Sequence, residues 1–176
     1  MVIDKKLGEK NQNLKSKAEK IKLLLTDVDG VLTDTGIYYS SEGEALKRFS
    51  IRDGMGVERL RKYAGIETII ITGENSGPVK SRAEKLKITE FYLGVKNKVE
   101  VLEIIKKKNN VEKENIAYIG DDSNDYEIMQ LAGFTATPAD GMSFIKDISD
   151  YVCETKAGYG AFREFAELIL SLQNNH

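Results

Sequence analysis

Residues 21–33 read Ile-Lys-Leu-Leu-Leu-Thr-Asp-Val-Asp-Gly-Val-Leu-Thr. A short apolar run stops at two carboxylates, Asp27 and Asp29, and turns on Gly30. Short apolar runs bounded by turn residues mark strands buried on both faces. A strand over 21–26 is therefore expected, and runs over 67–72, 116–120 and 134–137 repeat the pattern. Amphipathic segments over 57–64, 79–86, 99–107 and 127–131 lie among them as helices. A last helix over 160–172 puts Phe162, Phe165, Leu168, Ile169 and Leu172 on its inner side. Alternating strand and helix predict an α/β fold, one Rossmann-like parallel sheet with helices on both faces.

One segment breaks the alternation. Residues 36–39 and 45–49 are β-like and joined by 40–44, which reads as a hairpin standing over the first acidic loop. Residues 1–20 are polar and lysine-rich, with Leu7, Leu14 and Ala18 on one helical face. They are expected as an N-terminal arm, either a short helix on the body or a frayed, solvated segment. Residues 21–176 are expected as a single domain, the size one buried core supports.

Composition narrows the chemistry. The net charge of −2 favours neither nucleic acid nor an acidic membrane surface as partner. No apolar stretch has membrane-spanning length, and no signal-peptide core precedes residue 21, so a cytoplasmic protein is expected. Cys153 is the only cysteine, and the only histidine is the last residue, His176. Ser/His and Cys/His nucleophiles and histidine–zinc centres are thereby nearly excluded. Carboxylates, lysine, hydroxyls and a hard metal ion remain.

Ligands of open α/β sheets gather at the carboxyl ends of the strands. Those ends carry Asp27 and Asp29, then Thr72-Gly73-Glu74, then Gly120-Asp121-Asp122-Ser123-Asn124-Asp125, with Lys98 at a helix start. The set fits phosphoryl transfer. Asp27 and Asp121 can share Mg²⁺, a hard cation that takes oxygen ligands and offsets repulsion between a nucleophilic Asp27 and a phosphate dianion. Asp29 can protonate the leaving oxygen and later activate water. Thr72 and Lys98 can donate to the transferring group, and Gly30 and Gly73 leave backbone N–H groups near it. Singly, each has a plainer role: Asp-x-Asp loops are common, Thr72 could end a strand, Lys98 could be solvated, and Asp121, Asp122 and Asp125 could cap a helix. Their order, each at a strand end or helix start, favours the joint reading.

Asp27-Val-Asp29-Gly-Val, Thr72-Gly, Lys98 and Gly-Asp121-Asp122-x-x-Asp125 resemble the haloacid dehalogenase (HAD) superfamily of phosphatases. Three narrower stretches resemble its 3-deoxy-D-manno-octulosonate 8-phosphate (KDO 8-phosphate) phosphatases: the run from Asp27 to Asp34 with Tyr38-Tyr39, Phe49–Gly54, and Ala157–Glu164. The likeness runs from about residue 21 to the last helix. It implies Asp27 as nucleophile, through an aspartyl-phosphate, and Asp29 as acid/base. Magnesium would lie on Asp27, the Asp29 carbonyl and Asp121, with Asp122 and Asp125 behind, the latter able to orient Lys98. Ser50, Ile51, Arg52, Asp53 and Gly54 match the family's substrate loop, and Arg82 a residue facing the sugar acid's carboxylate. The substrate would be a small sugar acid phosphate on the way to lipopolysaccharide.

The chain also departs from that pattern. Glu74 and Glu58 stand where some members carry arginine, and Glu74 should repel a substrate carboxylate unless it pairs with Arg82 or Lys85. The branch that cleaves 2-keto-3-deoxynononate 9-phosphate also shows Thr-Gly-Glu, so a nine-carbon substrate is the alternative. Only a hairpin occupies 33–50, so the site has no cap domain. Capless relatives form tetramers whose neighbours cover the site, and the same is expected here, with residues 36–49 at the interface. The rival of another class is a receiver-type signalling module, which also groups acids, threonine and lysine around Mg²⁺. Receivers carry the acidic pair on the first strand and the phosphoacceptor on the third, and an acid/base beside the nucleophile promotes turnover. A sugar-phosphate phosphomutase or an inactive regulatory domain fits the intact Asp27/Asp29 pair and missing cap less well.

Overall fold

A computed structural model describes residues 4–173, so His176 and the first three residues of the arm lie outside the described residues. The strands are β1 (Leu23–Thr26), β2 (Thr33–Ser40), β3 (Gly43–Phe49), β4 (Glu67–Ile71), β5 (Phe91–Tyr92), β6 (Ile116–Ile119), β7 (Phe134–Thr137) and β8 (Tyr151–Val152). The helices are α1 (Lys5–Lys10), α2 (Lys15–Ala18), α3 (Ile51–Ala64), α4 (Gly77–Lys85), α5 (Lys98–Asn109), α6 (Tyr126–Gln130), α7 (Ser143–Lys146) and α8 (Ala161–Gln173).

Six strands pair in parallel in the order β5-β4-β1-β6-β7-β8, and β2 and β3 form a separate antiparallel hairpin. The strand period of two sends alternate residues of β1 to opposite faces. Leu24 joins a core with Ile70, Ala117, Phe134, Phe162 and Phe165, while Leu23 and Leu25 join a second with Ile69, Ile71, Leu102 and Tyr118. Both faces are thus buried, which is why β1 carries no polar alternation. From β1 the chain runs out to β4 and β5 on one side, then crosses back to β6, β7 and β8 on the other. The crevice at the C-terminal end of β1 is therefore the topological switch point, where Asp27 sits.

Two expectations need correction. Residues 50–54 are not a loop, because α3 starts at Ile51, six residues before the expected start, with the Ser50 hydroxyl accepting from Arg52 N at 3.1 Å. Gly54 and Gly56 are where neighbours come close: a Cβ on Gly56 would stand 3.1 Å from both Phe162 and Arg163 of α8. The hairpin is also longer than expected, running from Thr33 to Phe49, and its connection is shorter, since β3 already begins at Gly43.

Residues 4–20 lie on α8: Leu14 and Ala18 are buried, Leu7 packs at the margin, and Gln173 donates to the carbonyls of Ala18 and Ile21 at 2.9 and 3.1 Å. Lys17 pairs with Asp150 beside them.

Candidate active site

Asp27 follows β1 directly, held by its backbone N–H on Ile119 O at 3.1 Å. Its carboxylate is almost fully buried, with Oδ1 3.1 Å from Lys98 Nζ. Lys98 is the first residue of α5, placed by the Asn97 cap, whose side chain accepts from Val99 N and Glu100 N. From there its ammonium also reaches Asp125 Oδ1 at 2.6 Å and donates to the Tyr118 hydroxyl at 3.3 Å. Asp125 is a hub: Oδ1 accepts from Lys98 and, at 2.5 Å, from Tyr118, while Oδ2 accepts from the N–H groups of Asp121 and Asp122 at 2.9 and 3.4 Å.

Asp121 faces Asp27 across the crevice. One carboxylate oxygen each from Asp27, Asp121 and Asp125 lies within 4.8 Å of the others. Asp125 is already saturated by four donors, whereas Asp121 Oδ1 is buried without a hydrogen-bond partner. A buried carboxylate oxygen without a donor is costly. Gly30 makes the approach possible, because a Cβ there would stand 1.9 Å from Asp121 Oδ2, and its φ of 86° also suits glycine.

The electrostatics have the same sense. Burial, then the negative charge of Asp125, push the Asp27 carboxyl well above the usual carboxylate range, against the opposing pull of Lys98. Burial, then Asp27 and Asp125, push Asp121 up to about 8. Burial works against the Lys98 ammonium, but Asp27 and Asp125 outweigh it and hold its pKa above the ordinary value. Tyr118 stays a protonated donor, since burial and Asp125 raise it strongly. An all-oxygen set holding more negative charge than one lysine can offset is the donor chemistry of a hard divalent cation such as Mg²⁺. The residues fit that ion, with Asp27 and Asp121 as its carboxylates.

A cavity of about 360 Å³ opens over this pair, lined by Asp27, Asp29, Thr72, Gly73, Glu74 and Asp121 together with Asp122, Thr35, Ile37, Ser123 and Asn124. A larger hollow of about 600 Å³ borders Lys98 and Phe144 but contains neither Asp27 nor Asp121. Thr72 is buried, its Oγ1 accepting from Glu74 N at 3.3 Å. Glu74 is exposed and, among the described residues, forms no ion pair with Arg82 or Lys85.

The other expected substrate residues lie outside this cavity. Ser50 caps α3, Ile51 and Arg52 are exposed, and Asp53 is buried, with its Oδ1 accepting from Arg163 N at 3.0 Å. Arg82 lies over Gly54 and the Phe49 ring and donates to Ser50 O at 2.8 Å. Lys85 lines a separate depression with Glu58, Arg61 and Lys62.

Two residues at the site carried no signal in the sequence. Tyr118 lies inside a strand run and Lys47 inside the hairpin, and neither stands at a strand end. The Lys47 side chain is fully buried, its Nζ 2.7 and 2.6 Å from the two Asp29 oxygens and 3.4 Å from Glu44. Burial opposes its charge, but Asp29 and Glu44 hold its pKa above the ordinary value.

Residues 87–164 match the haloacid dehalogenase-like hydrolase family. Over 166 residues the chain is 39% identical to the 3-deoxy-D-manno-octulosonate 8-phosphate phosphatase KdsC of Escherichia coli strain B / BL21-DE3, covering 94% of this chain and 88% of that one. The chain belongs to the haloacid dehalogenase-like hydrolases. It is a phosphatase, an enzyme that hydrolyses a phosphate monoester. Solved structures of KDO 8-phosphate phosphatases superpose on this hydrolase closely. That of Moraxella catarrhalis, in complex with magnesium, phosphate and KDO, is 40% identical with a TM-score of 0.89, covering 94% of each chain. The cobalt-bound enzyme of Haemophilus influenzae is 39% identical with a TM-score of 0.86, covering 89% of this chain and 91% of that one.

Proposed function

We propose that this phosphatase hydrolyses KDO 8-phosphate to KDO and phosphate through an aspartyl-phosphate on Asp27. The observation that carries the reading is the Asp27 carboxylate, buried at the switch point between Lys98 and an Asp121 oxygen that lacks a donor. An Asp27 oxygen attacks phosphorus as the bond to the sugar oxygen breaks, and Asp29 gives that oxygen its proton. Water then attacks the phosphorus of the aspartyl-phosphate, Asp29 takes its proton, and phosphate leaves as the Asp27 carboxylate is restored. Lys98 holds Asp27 in place, and Thr72 lines the cavity to donate to the phosphoryl oxygens. Asp27, the Asp29 carbonyl and Asp121 would hold Mg²⁺, which would supply the positive charge that lets a carboxylate approach a phosphate dianion.

The eight-carbon substrate is supported by the likeness to KDO 8-phosphate phosphatases over 94% of the chain. Glu74 lines the cavity within the Thr72-Gly73-Glu74 run that the nine-carbon branch also shows, and it favours one second reading, the nine-carbon keto acid phosphate. Assembly is supported by the exposed face of the hairpin, where Tyr38, Tyr39 and Leu46 are 59%, 72% and 64% accessible. We read it as the contact of a tetramer whose neighbours cover the open cavity. A cytoplasmic location and a role in lipopolysaccharide sugar synthesis belong to the same reading. Phosphate release from a panel of phosphorylated keto sugar acids and common metabolites tests it, with Asp27→Asn as control. KDO 8-phosphate should rank among the best substrates, and a poor rank would sink the assignment.

A further inference from the structure

Asp29 lines the cavity and is half-buried, yet its position is set from behind by the hairpin. Both of its oxygens lie within 2.7 Å of the Lys47 ammonium, and Oδ1 also accepts from Thr33 Oγ1 at 3.3 Å. Lys47 cannot wander, because its side chain has no exposed surface. Glu44 faces its far side at 3.4 Å and in turn accepts from the hydroxyl of Ser76, the cap of α4. A chain of one hydrogen bond and two ion pairs thus runs from the N-terminus of α4 through β3 to the acid/base. A carboxylate that must take a proton from one particular water gains rate from being held in one orientation.

We propose that Lys47 is a positioning residue of the reaction, through which the β2–β3 hairpin holds the Asp29 carboxylate in place to take the proton of the attacking water. The inference rests on Asp29 being the acid/base of the reading above. Lys47 itself touches no reacting atom. Its loss should therefore slow the breakdown of the phosphorylated Asp27 and spare the phosphoryl transfer of a substrate whose leaving group needs no proton.

The test uses p-nitrophenyl phosphate with Mg²⁺, comparing the wild type with Asp29→Asn, Lys47→Met and Lys47→Arg. Nitrophenolate leaves unaided, so kcat/KM reports attack by Asp27 alone, while kcat includes the later hydrolysis. In Asp29→Asn and Lys47→Met, kcat and KM should fall together by about tenfold or more, with a burst of nitrophenolate and kcat/KM nearly unchanged. Lys47→Arg keeps a charge in the buried slot and should fall between wild type and Lys47→Met. If Asp29→Asn shows this split but both Lys47 variants lose kcat with KM unchanged, or lose nothing, Lys47 only anchors the hairpin and the proposal is overturned. An Asp29→Asn enzyme without the split overturns the acid/base assignment and the Lys47 proposal together.

Discussion

Asp125 shows how one buried side chain organises several others. Its two oxygens take a lysine, a phenol and two backbone amides, leaving the Asp27 and Asp121 carboxylates facing each other. Tyr118→Phe removes the phenol donor and should cost about 1.5–3 kcal/mol in urea unfolding, the range for hydrogen bonds to charged groups. Asp27→Asn should act in opposite senses on activity and stability. Turnover should vanish, while the metal-free protein should be more stable in urea unfolding near neutral pH, because burial and Asp125 disfavour the charge that is removed. The carboxylates were legible in the sequence because each sits at a strand end, a place fixed by local pattern. Lys47 and Tyr118 were not, since burial of a hairpin lysine and the depth of a strand tyrosine depend on partners 18 and 7 residues away.

The segment 50–64 shows where local pattern and tertiary packing part company. Two glycines in the first turns of α3 argue against a helix by propensity, at about 1 kcal/mol each. The Ser50 cap and the close crossing of α8 at Gly56 override them. Ser50→Ala should therefore cost about 1 kcal/mol of stability, measured by thermal or urea unfolding. Gly56→Ala should also destabilise, by about 1–3 kcal/mol before a propensity gain of about 1 kcal/mol, because its methyl group would press on Phe162 and the Arg163 backbone. A more stable Gly56→Ala protein would show that the crossing is not set by this contact. The parallel sheet was readable because its apolar runs are long enough to see, whereas two-residue β8 has too little sequence to carry a pattern.

Across the whole chain, metal, proton and fold are linked through the facing carboxylates. A carboxyl whose folded pKa is raised contributes most below the unfolded value of about 3.9, and that contribution is lost as pH rises through the folded value. For Asp121 the folded value is about 8. The metal-free protein should therefore lose thermal stability between roughly pH 5 and pH 8, and Mg²⁺, which takes the ionised pair, should restore more at pH 8 than at pH 6. At one hundred times its dissociation constant the ion should add about 2.7 kcal/mol, roughly 5–10 °C in Tm. An Mg²⁺ effect that is flat with pH would show that the two carboxylates do not share it. Light scattering tests the proposed assembly: the wild type should have the mass of a tetramer and Leu46→Asp, on the exposed hairpin face, that of smaller species, and a monomeric wild type or an unchanged mass would contradict that interface. The nucleophile is tested by peptide mass mapping of Asp29→Asn enzyme, acid-quenched during turnover of p-nitrophenyl phosphate with Mg²⁺. The phosphoryl group should be found on Asp27. A phosphoryl group on any other residue, or none at any time during turnover, would contradict the mechanism.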